Sequence, residues 1–72
     1  MEPSDIGRLI QQSRKRLKLN QSDLALTSGT AVRFISDLEN GKPSCHLGKT
    51  LSVLEALGIR LDLTPPEEGN PR

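Results

Sequence analysis

Apolar side chains recur at helical spacing in four stretches of the chain, which predicts four α-helices. Ser4-Asp5 is the expected cap of the first helix, where an acidic residue interacts favourably with the helix dipole. The inward stripe of this helix comprises Ile6, Leu9, Ile10, Ser13 and Leu17. Arg14 lies at the edge of that stripe, so we expect it to be partly buried and to need a carboxylate partner.

The second helix is short and ends at a turn. Asn20 is a good N-cap, and Asp23, three residues later, completes a variant of the capping box. The helix then runs over about 21–27 and buries Leu24 and Ala25. Gly29 follows, and it supplies the positive φ that a sharp turn between two helices needs.

The third helix follows this turn directly. Thr30 is its expected N-cap, and the helix runs over about 31–39 with Ile35 and Leu38 facing inward. Gly41 ends it in the left-handed conformation, and Pro43 prevents its continuation.

The fourth helix is expected over about 45–57, after a cap at Ser44 and before Gly58. Its apolar stripe comprises Leu47, Leu51, Val53, Leu54, Ala56 and Leu57. Residues 1–58 are therefore predicted to form one small all-α domain of four helices.

Residues 59–64 are the one stretch that alternates apolar and polar side chains, which predicts a β-strand with Ile59, Leu61 and Leu63 on one side. A single strand has no pairing partner within a four-helix domain. We therefore expect it to pair with the same strand of a second copy in a two-fold dimer. The alternative is an extended tail packed on its own bundle. Pro65-Pro66 stops further pairing, and the polar residues 65–72 are expected to be disordered.

Composition narrows the classes of protein to consider. The 72 residues leave room for one core, and the single Cys45 excludes an internal disulfide. Cys and His are too few for a zinc site, so we expect no metal and no other cofactor. The chain has neither a membrane-spanning apolar run nor an apolar signal-peptide core, so we expect a cytoplasmic protein.

The net charge of +1 hides an uneven distribution. Residues 1–20 hold five cations and two carboxylates, a net +3, whereas residues 21–41 hold one cation and three carboxylates, a net −2. The basic segment is either a surface for a polyanion or an ordinary solvated helix face.

The second and third helices, with a Gly-containing turn between them, have the order of a helix-turn-helix unit. Ala25 is small enough to let the two helices cross closely. The outer face of the third helix carries Val32, Arg33, Ser36 and Asp37. This face would enter the major groove of DNA, although helix pairs of this kind also occur without DNA function.

The segments LNQSDLA, SGT and ISDLENGK, at residues 19–25, 28–30 and 35–42, resemble those of the Cro/Xre-type helix-turn-helix repressors, including the repressors of lambdoid phages. The resemblance covers about residues 5–57 and implies a lambda-repressor-like fold. It also implies that DNA phosphates are bound by Gln21 and Ser22 at the start of the second helix, and by Asn40 and Lys42 after the third.

The same resemblance implies which residues read bases, namely Ala31, Val32, Arg33, Ser36 and Asp37. Ala31 and Val32 could contact thymine methyl groups, and Arg33 could donate two hydrogen bonds to guanine O6 and N7. Asp37 could accept a hydrogen bond from cytosine N4, but it would repel a phosphate.

The resemblance further implies that Arg14 forms an ion pair with Glu39, a structural role that we prefer to a DNA contact. For Phe34 we prefer packing to insertion between bases. Cys45 and His46 are interpreted as ordinary surface residues. No Ser, His and Asp residues are spaced as a catalytic set, so the protein is predicted not to be an enzyme.

The longer pattern, ISDLENGKPS, a Leu-rich helix and then LEALGIRLDLTPP, is similar to the HipB-like antitoxins, in which C-terminal strands pair across a dimer. This resemblance implies a HipA-type serine/threonine kinase toxin as partner and repression of the protein's own operon from a palindromic operator. Two alternatives are a stand-alone phage-type or regulatory repressor and a protein-interaction module that binds DNA weakly.

Overall fold

Four α-helices make up the computed structural model, which describes residues 1–43 and 46–66. The helices are α1 (Pro3–Arg16), α2 (Gln21–Ser28), α3 (Val32–Glu39) and α4 (Leu47–Ala56). Helix α3 packs against α1 and α2, and α4 packs against α2. The predicted all-α domain of four helices is confirmed.

The core lies where these helices meet. Ile10, Leu24, Ile35 and Val53 come one from each helix, and each is fully buried. The other buried apolar residues are Ala25, Leu38, Leu54 and Leu57. Since burial of one such side chain contributes about 1.5–3 kcal/mol, this small aliphatic cluster is the main source of stability.

Helix α1 begins at Pro3, before the predicted cap at Ser4-Asp5. Its N-cap is Glu2, whose backbone N–H donates to the Asp5 carboxylate at 2.8 Å. The prediction was wrong because proline suits the first helical position, where its missing N–H costs nothing. Asp5 therefore lies inside the first turn.

The inward face of α1 is also rotated relative to the prediction. Ile10, Ser13 and Arg14 are buried, but Leu9 and Leu17 are 43% and 52% exposed. Leu17 lies beyond the last helical residue, and the neighbouring helices pack on the face that contains Gly7 and Arg14 instead. Leu9 and Leu17 are thus not core residues, contrary to the helical-stripe assignment.

Helix α3 begins at Val32 with Ala31 as its N-cap, whereas Thr30 was predicted for that position. Thr30 belongs to the end of α2, because its backbone N–H donates to the Ala25 carbonyl at 2.9 Å. Its hydroxyl also lies 2.9 Å from that of Ser28. The backbone N–H and the hydroxyl of Thr30 are therefore both used in the turn.

Helix α4 is shorter than expected. It starts at Leu47 and ends at Ala56, and the predicted Ser44 cap, with Cys45, lies outside the described residues. Leu47 and Leu51 are 67% and 41% exposed, because α4 contributes its second half to the core through Val53 and Leu54. The predicted inward position of Leu47 and Leu51 is wrong for the single chain.

The described part of the C-terminal segment, residues 59–66, forms no strand within one chain. Ile59 packs partly against the core, whereas Leu61 and Leu63 are 48% and 83% exposed. A pattern of exposed alternate leucines is compatible with a strand that pairs with another copy, and this pairing stays a prediction. The expected disorder concerns residues 65–72, of which 67–72 lie outside the described residues.

Candidate nucleic-acid interface

Helix α3 has one buried face and one open face. Ile35 and Leu38 are buried and hold the helix on the core. The side chains on or next to the other face are Ala31, Val32 and Arg33, which are exposed, and Ser36 and Asp37, which are half-buried. The structure thus brings all five predicted base-reading residues to one region of the surface.

The turn between α2 and α3 sets the angle between the two helices. Gly29 adopts φ +72°, a left-handed conformation that other residues rarely adopt, as predicted for this turn. Ala25, 5% exposed, lies in the core beneath the turn. The first helix of the pair therefore supports the open face of the second, as a helix-turn-helix unit requires.

The start of α2 presents backbone donors. The Asn20 side chain accepts from the Asp23 N–H at 2.7 Å, and the Asp23 carboxylate accepts from the Asn20 N–H at 3.0 Å. This is the predicted capping box. Within the described part of the chain, the backbone N–H groups of Gln21 and Ser22 have no such partner and remain as donors at the positive end of the helix.

A second group of polar residues follows the end of α3. Gly41 has φ +77°, and a Cβ at this position would lie 2.9 Å from Ser4 of α1, so a side chain there would collide with that helix. Lys42 Nζ lies 3.6 Å from the Asp37 carboxylate, and both side chains are partly exposed. Asn40 is exposed beside them. A cation thus accompanies the one carboxylate among the five base-reading candidates.

Arg14 and Glu39 form a bidentate ion pair between α1 and the end of α3. Arg14 Nε donates to Glu39 Oε2 at 2.6 Å, and Arg14 Nη2 donates to Oε1 at 3.0 Å. The two side chains are only 10% and 3% exposed. Arg14 also donates to the Leu19 carbonyl at 2.8 Å, which links the pair to the connection between α1 and α2.

Gln21 joins this pair, which sequence reasoning did not foresee. Its Nε2 donates to Glu39 Oε1 at 3.1 Å, so the carboxylate binds residues of both α1 and α2. Burial alone would raise the pKa of Glu39, but hydrogen bonds from Arg14 and Gln21, with the charges of Arg14 and Lys15, outweigh it and lower that pKa. The hydrogen bond to Glu39 raises the pKa of Arg14 against the opposite effect of burial.

Gly7 is a second residue whose role the sequence reasoning missed. A Cβ at this position would collide with the Leu38 carbonyl oxygen and would lie 3.0 Å from that of Glu39. Gly7 therefore allows α1 to approach the last turn of α3. The signal was available, because a glycine inside a helical pattern often marks close packing.

Phe34 lies at the boundary between the core and the open face. Its ring meets that of His46 edge-on, with centroids 6.3 Å apart, and Lys49 Nζ lies 5.8 Å from the ring centroid. These contacts pack Phe34 of α3 against the beginning of α4, an arrangement compatible with the preferred packing role.

Residues 1–43 and 46–66 have neither of two other features, a metal site or a membrane-spanning helix. No three or more His, Cys, Asp or Glu residues lie together there as a metal site would need. No helix among these residues is long and apolar enough to cross a membrane.

Comparison with known proteins agrees with this geometry. The helix-turn-helix family model matches residues 10–63, about three quarters of the chain. The chain belongs to the Cro/Xre-type helix-turn-helix family. It is therefore a DNA-binding transcriptional regulator, of a family that is typically not enzymatic.

Relatives within the family match most of the chain. The HTH-type transcriptional regulator y4mF of Sinorhizobium fredii is 47% identical over 66 residues, which cover 92% of this chain and 87% of that protein. The ImmF control region 10 kDa protein of Bacillus phage phi105 is 38% identical over 65 residues, which cover 88% of this chain and 68% of that protein.

Two solved structures share the fold. One is a chain of a HipA-HipB-O2-O3 complex, and the other is described as MDT protein. Each superposes with a TM-score of 0.79 at 22% identity and covers 93% of this chain and 94% of the other. The likeness therefore includes nearly the whole length of both chains.

Proposed function

We propose that the protein is an antitoxin that represses its own operon as a dimer on a palindromic operator and neutralises a HipA-type serine/threonine kinase toxin. The observation that carries the DNA-binding part is the open face of α3, with polar groups suited to phosphate binding at both ends of the helix-turn-helix unit. The other parts rest on the C-terminal segment and on the fold comparison.

In the proposed complex α3 lies in the major groove. Arg33 is exposed and could form the bidentate contact to guanine, whereas Ala31 and Val32 provide methyl groups for thymine. Ser36 could bond to any base edge. Asp37 is the weakest candidate, since Lys42 lies 3.6 Å from its carboxylate and a nearby phosphate would repel it.

Phosphates would be bound on either side of this helix. The backbone N–H groups of Gln21 and Ser22 lie at the start of α2, where the helix dipole favours an anion. Asn40 and Lys42 follow the end of α3. Such contacts orient the protein on the duplex without reading its sequence.

The dimer would form through residues 59–64. Leu61 and Leu63 are exposed in the single chain, and a partner strand would cover them. Two recognition helices related by a two-fold axis would then read half-sites about 34 Å apart, one turn of DNA.

The antitoxin role is supported by the fold. The chain matches, over 93% of its length, a protein chain whose structure is described as a HipA-HipB-O2-O3 complex. A stand-alone repressor is the second candidate, because the 38% identical relative is named as a protein of the ImmF control region of a phage.

Titration of DNA from upstream of the protein's own gene, against a scrambled duplex of the same length at fixed salt, tests the repressor function. Tighter binding to the upstream DNA is expected. Arg33→Ala should weaken operator binding and relax the preference at one base pair, by about 1–3 kcal/mol of discrimination, with little effect on scrambled DNA. Arg8→Ala is the control, since it removes the same charge from an exposed position of α1, outside both α3 and the proposed dimer strand.

A separate experiment tests the antitoxin function. The product of the adjacent open reading frame is co-expressed with the protein, and the complex is isolated and assayed for kinase activity. A stable complex with suppressed kinase activity is expected. Operator binding without such a partner would favour the stand-alone repressor, and equal affinity for upstream and scrambled DNA would contradict both candidates.

A further inference from the structure

The Gln21 side chain is held by the buried ion pair instead of extending freely into solvent. Its Nε2 donates to Glu39 Oε1 at 3.1 Å, and Glu39 is itself held by two hydrogen bonds from Arg14. Residues of α1, α2 and α3 therefore meet at the carboxylate. This junction lies at the start of α2, where Gln21 and Ser22 present their backbone N–H groups.

The chemistry of the junction selects one of the two orientations of the Gln21 amide. An ionised carboxylate only accepts hydrogen bonds, whereas an amide has an accepting oxygen and an NH2 group with two donors. The NH2 group must therefore face Glu39, and turning the amide over would place its oxygen against the carboxylate. One N–H is used in this bond, and the second is in a fixed direction beside it.

We infer that Glu39 is a positioning residue for the DNA backbone, because its carboxylate fixes the Gln21 amide so that the second N–H can donate to a phosphate. The inference rests on the proposed DNA-binding function and adds a role for a residue that contacts no DNA. Arg14 is part of the device, since its positive charge neutralises a carboxylate that would otherwise repel the phosphate.

Glu39→Gln should reverse this orientation. The Arg14 guanidinium only donates, so the oxygen of the new amide turns to Arg14 and its NH2 group turns to Gln21. Gln21 must then present its own oxygen to that NH2 group. An acceptor takes the place of the donor, and the phosphate contact is lost.

The test is a double-mutant cycle measured as DNA affinity, with the parent, Gln21→Ala, Glu39→Gln and the double variant. Loss of one hydrogen bond to a charged group corresponds to roughly tenfold weaker binding per protomer, on upstream and scrambled DNA alike. Gln21→Ala and Glu39→Gln should each show this loss, and the double variant should lose no more than Gln21→Ala alone. Losses that multiply in the double variant would overturn the inference.

The salt dependence of affinity separates positioning from general distortion. A neutral amide releases no counterion, so Gln21→Ala should leave the slope of log affinity against log salt unchanged. Glu39→Gln removes a negative charge and should therefore not reduce that slope. Lys42→Ala, the comparison variant, should reduce that slope by about 1. A reduced slope in Glu39→Gln would mean that ionic contacts elsewhere are lost, which contradicts a role through Gln21.

Circular dichroism at the assay temperature verifies that each variant is folded. If Glu39→Gln is unfolded, Gln21→Asn is measured in its place. This variant keeps the ion pair, but the asparagine side chain is one methylene too short to reach both Glu39 and a phosphate. Gln21→Asn should bind as weakly as Gln21→Ala, and parent-like binding would overturn the inference. If the parent binds upstream DNA no more tightly than scrambled DNA, the proposed function itself is contradicted. If the parent prefers upstream DNA but the losses of Gln21→Ala and Glu39→Gln add up in the double variant, only the inference about Glu39 is refuted.

Discussion

Glu39→Gln should also destabilise the domain, by about 3 kcal/mol in the free energy of unfolding, because it leaves the Arg14 guanidinium buried without a counter-charge. The estimate follows from the geometry. The pair is bidentate, with bonds of 2.6 and 3.0 Å, and its side chains are 10% and 3% exposed. Removing one partner from such a pair costs about 3–5 kcal/mol of unfolding free energy. The amide of Glu39→Gln still accepts a hydrogen bond from Arg14, so its cost should lie at the lower end of this range.

The expected loss of about 3 kcal/mol is large relative to the total free energy of unfolding of the domain. A domain of this length has a stability of about 4–11 kcal/mol at the usual 0.05–0.15 kcal/mol per residue. Urea unfolding followed by circular dichroism measures the difference, with all variants at one protein concentration because a dimer's stability depends on it. Glu55→Gln is the matched control, since it makes the same change on an exposed face of α4 and should lie within about 0.5 kcal/mol of the parent.

The pH dependence identifies the cause. The pKa of Glu39 is lowered in the folded protein, so its contribution is fully present above the unfolded value of about 4.3 and is lost as pH falls through the folded value. The difference between parent and Glu39→Gln should therefore be constant from about pH 6 to 8 and shrink in acid. Because the pair is buried, salt should change the difference little.

Two results would refute this account of the ion pair. One is an unfolding free energy of Glu39→Gln within about 0.5 kcal/mol of the parent, the range of ordinary surface substitutions. The other is a difference that persists unchanged at low pH, where the parent carboxyl is protonated as well. The double variant Arg14→Met/Glu39→Leu is expected to be more stable than Glu39→Gln, because apolar replacement removes the uncompensated charge.

Three other perturbations test the packing, the helix cap and the dimer. Gly7→Ala should destabilise the domain by about 1–3 kcal/mol, because the new Cβ would collide with the end of α3. Gly48→Ala is the comparison: it has open space around it and should stabilise the domain by about 0.4–1 kcal/mol. Thermal unfolding measures both variants. Asn20→Ala should cost about 0.5–2 kcal/mol by removing the cap of α2, and an unchanged urea midpoint would contradict that role. Leu61→Asp should convert the dimer to a monomer in sedimentation, and a persisting dimer would locate the interface elsewhere.

The structure also gives a physical account of how a small domain keeps its reading helix rigid. Helix α3 has eight residues, too few for stability on its own. It is held by Ile35 and Leu38 in the core and by Glu39 at its end, with Gly7 allowing α1 to approach closely. Ile35 and Leu38 lie on the side away from the open face, so substitutions at the candidate base-reading residues Ala31, Val32 and Arg33 leave these core contacts in place.

Local rules were sufficient for the order of the helices, the start of α2 and the glycine turns, but not for the N-caps of α1 and α3. Gly29 and Gly41 have φ +72° and +77°, as predicted, and Gly58, which was predicted only to end the fourth helix, has φ +73°. The cap at Asn20 was equally predictable. These features depend on residues within a few positions of one another, so no knowledge of the tertiary structure was needed.

The candidate interface was predictable only in part. The residues of the open face follow from helical spacing once Ile35 and Leu38 are taken as the buried side. The Arg14–Glu39 pair came from family resemblance, because 25 positions separate its members and no periodicity connects them. That Gln21 would join the pair was not foreseen, since it depends on the side-chain geometry of three helices.

The sequence by itself determined the order of the helices, the start of α2 and the glycine turns, because capping groups and glycines act over one or two turns. The tertiary structure decided which side of each helix is buried. In the assembled domain Leu9 and Leu47 are exposed and Gly7 packs against α3. Thr30 belongs to the turn after α2 and is not the cap of α3. Burial depends on how the assembled helices contact one another. Where the apolar face of a helix is wider than the surface that its neighbours cover, some of its apolar side chains stay exposed.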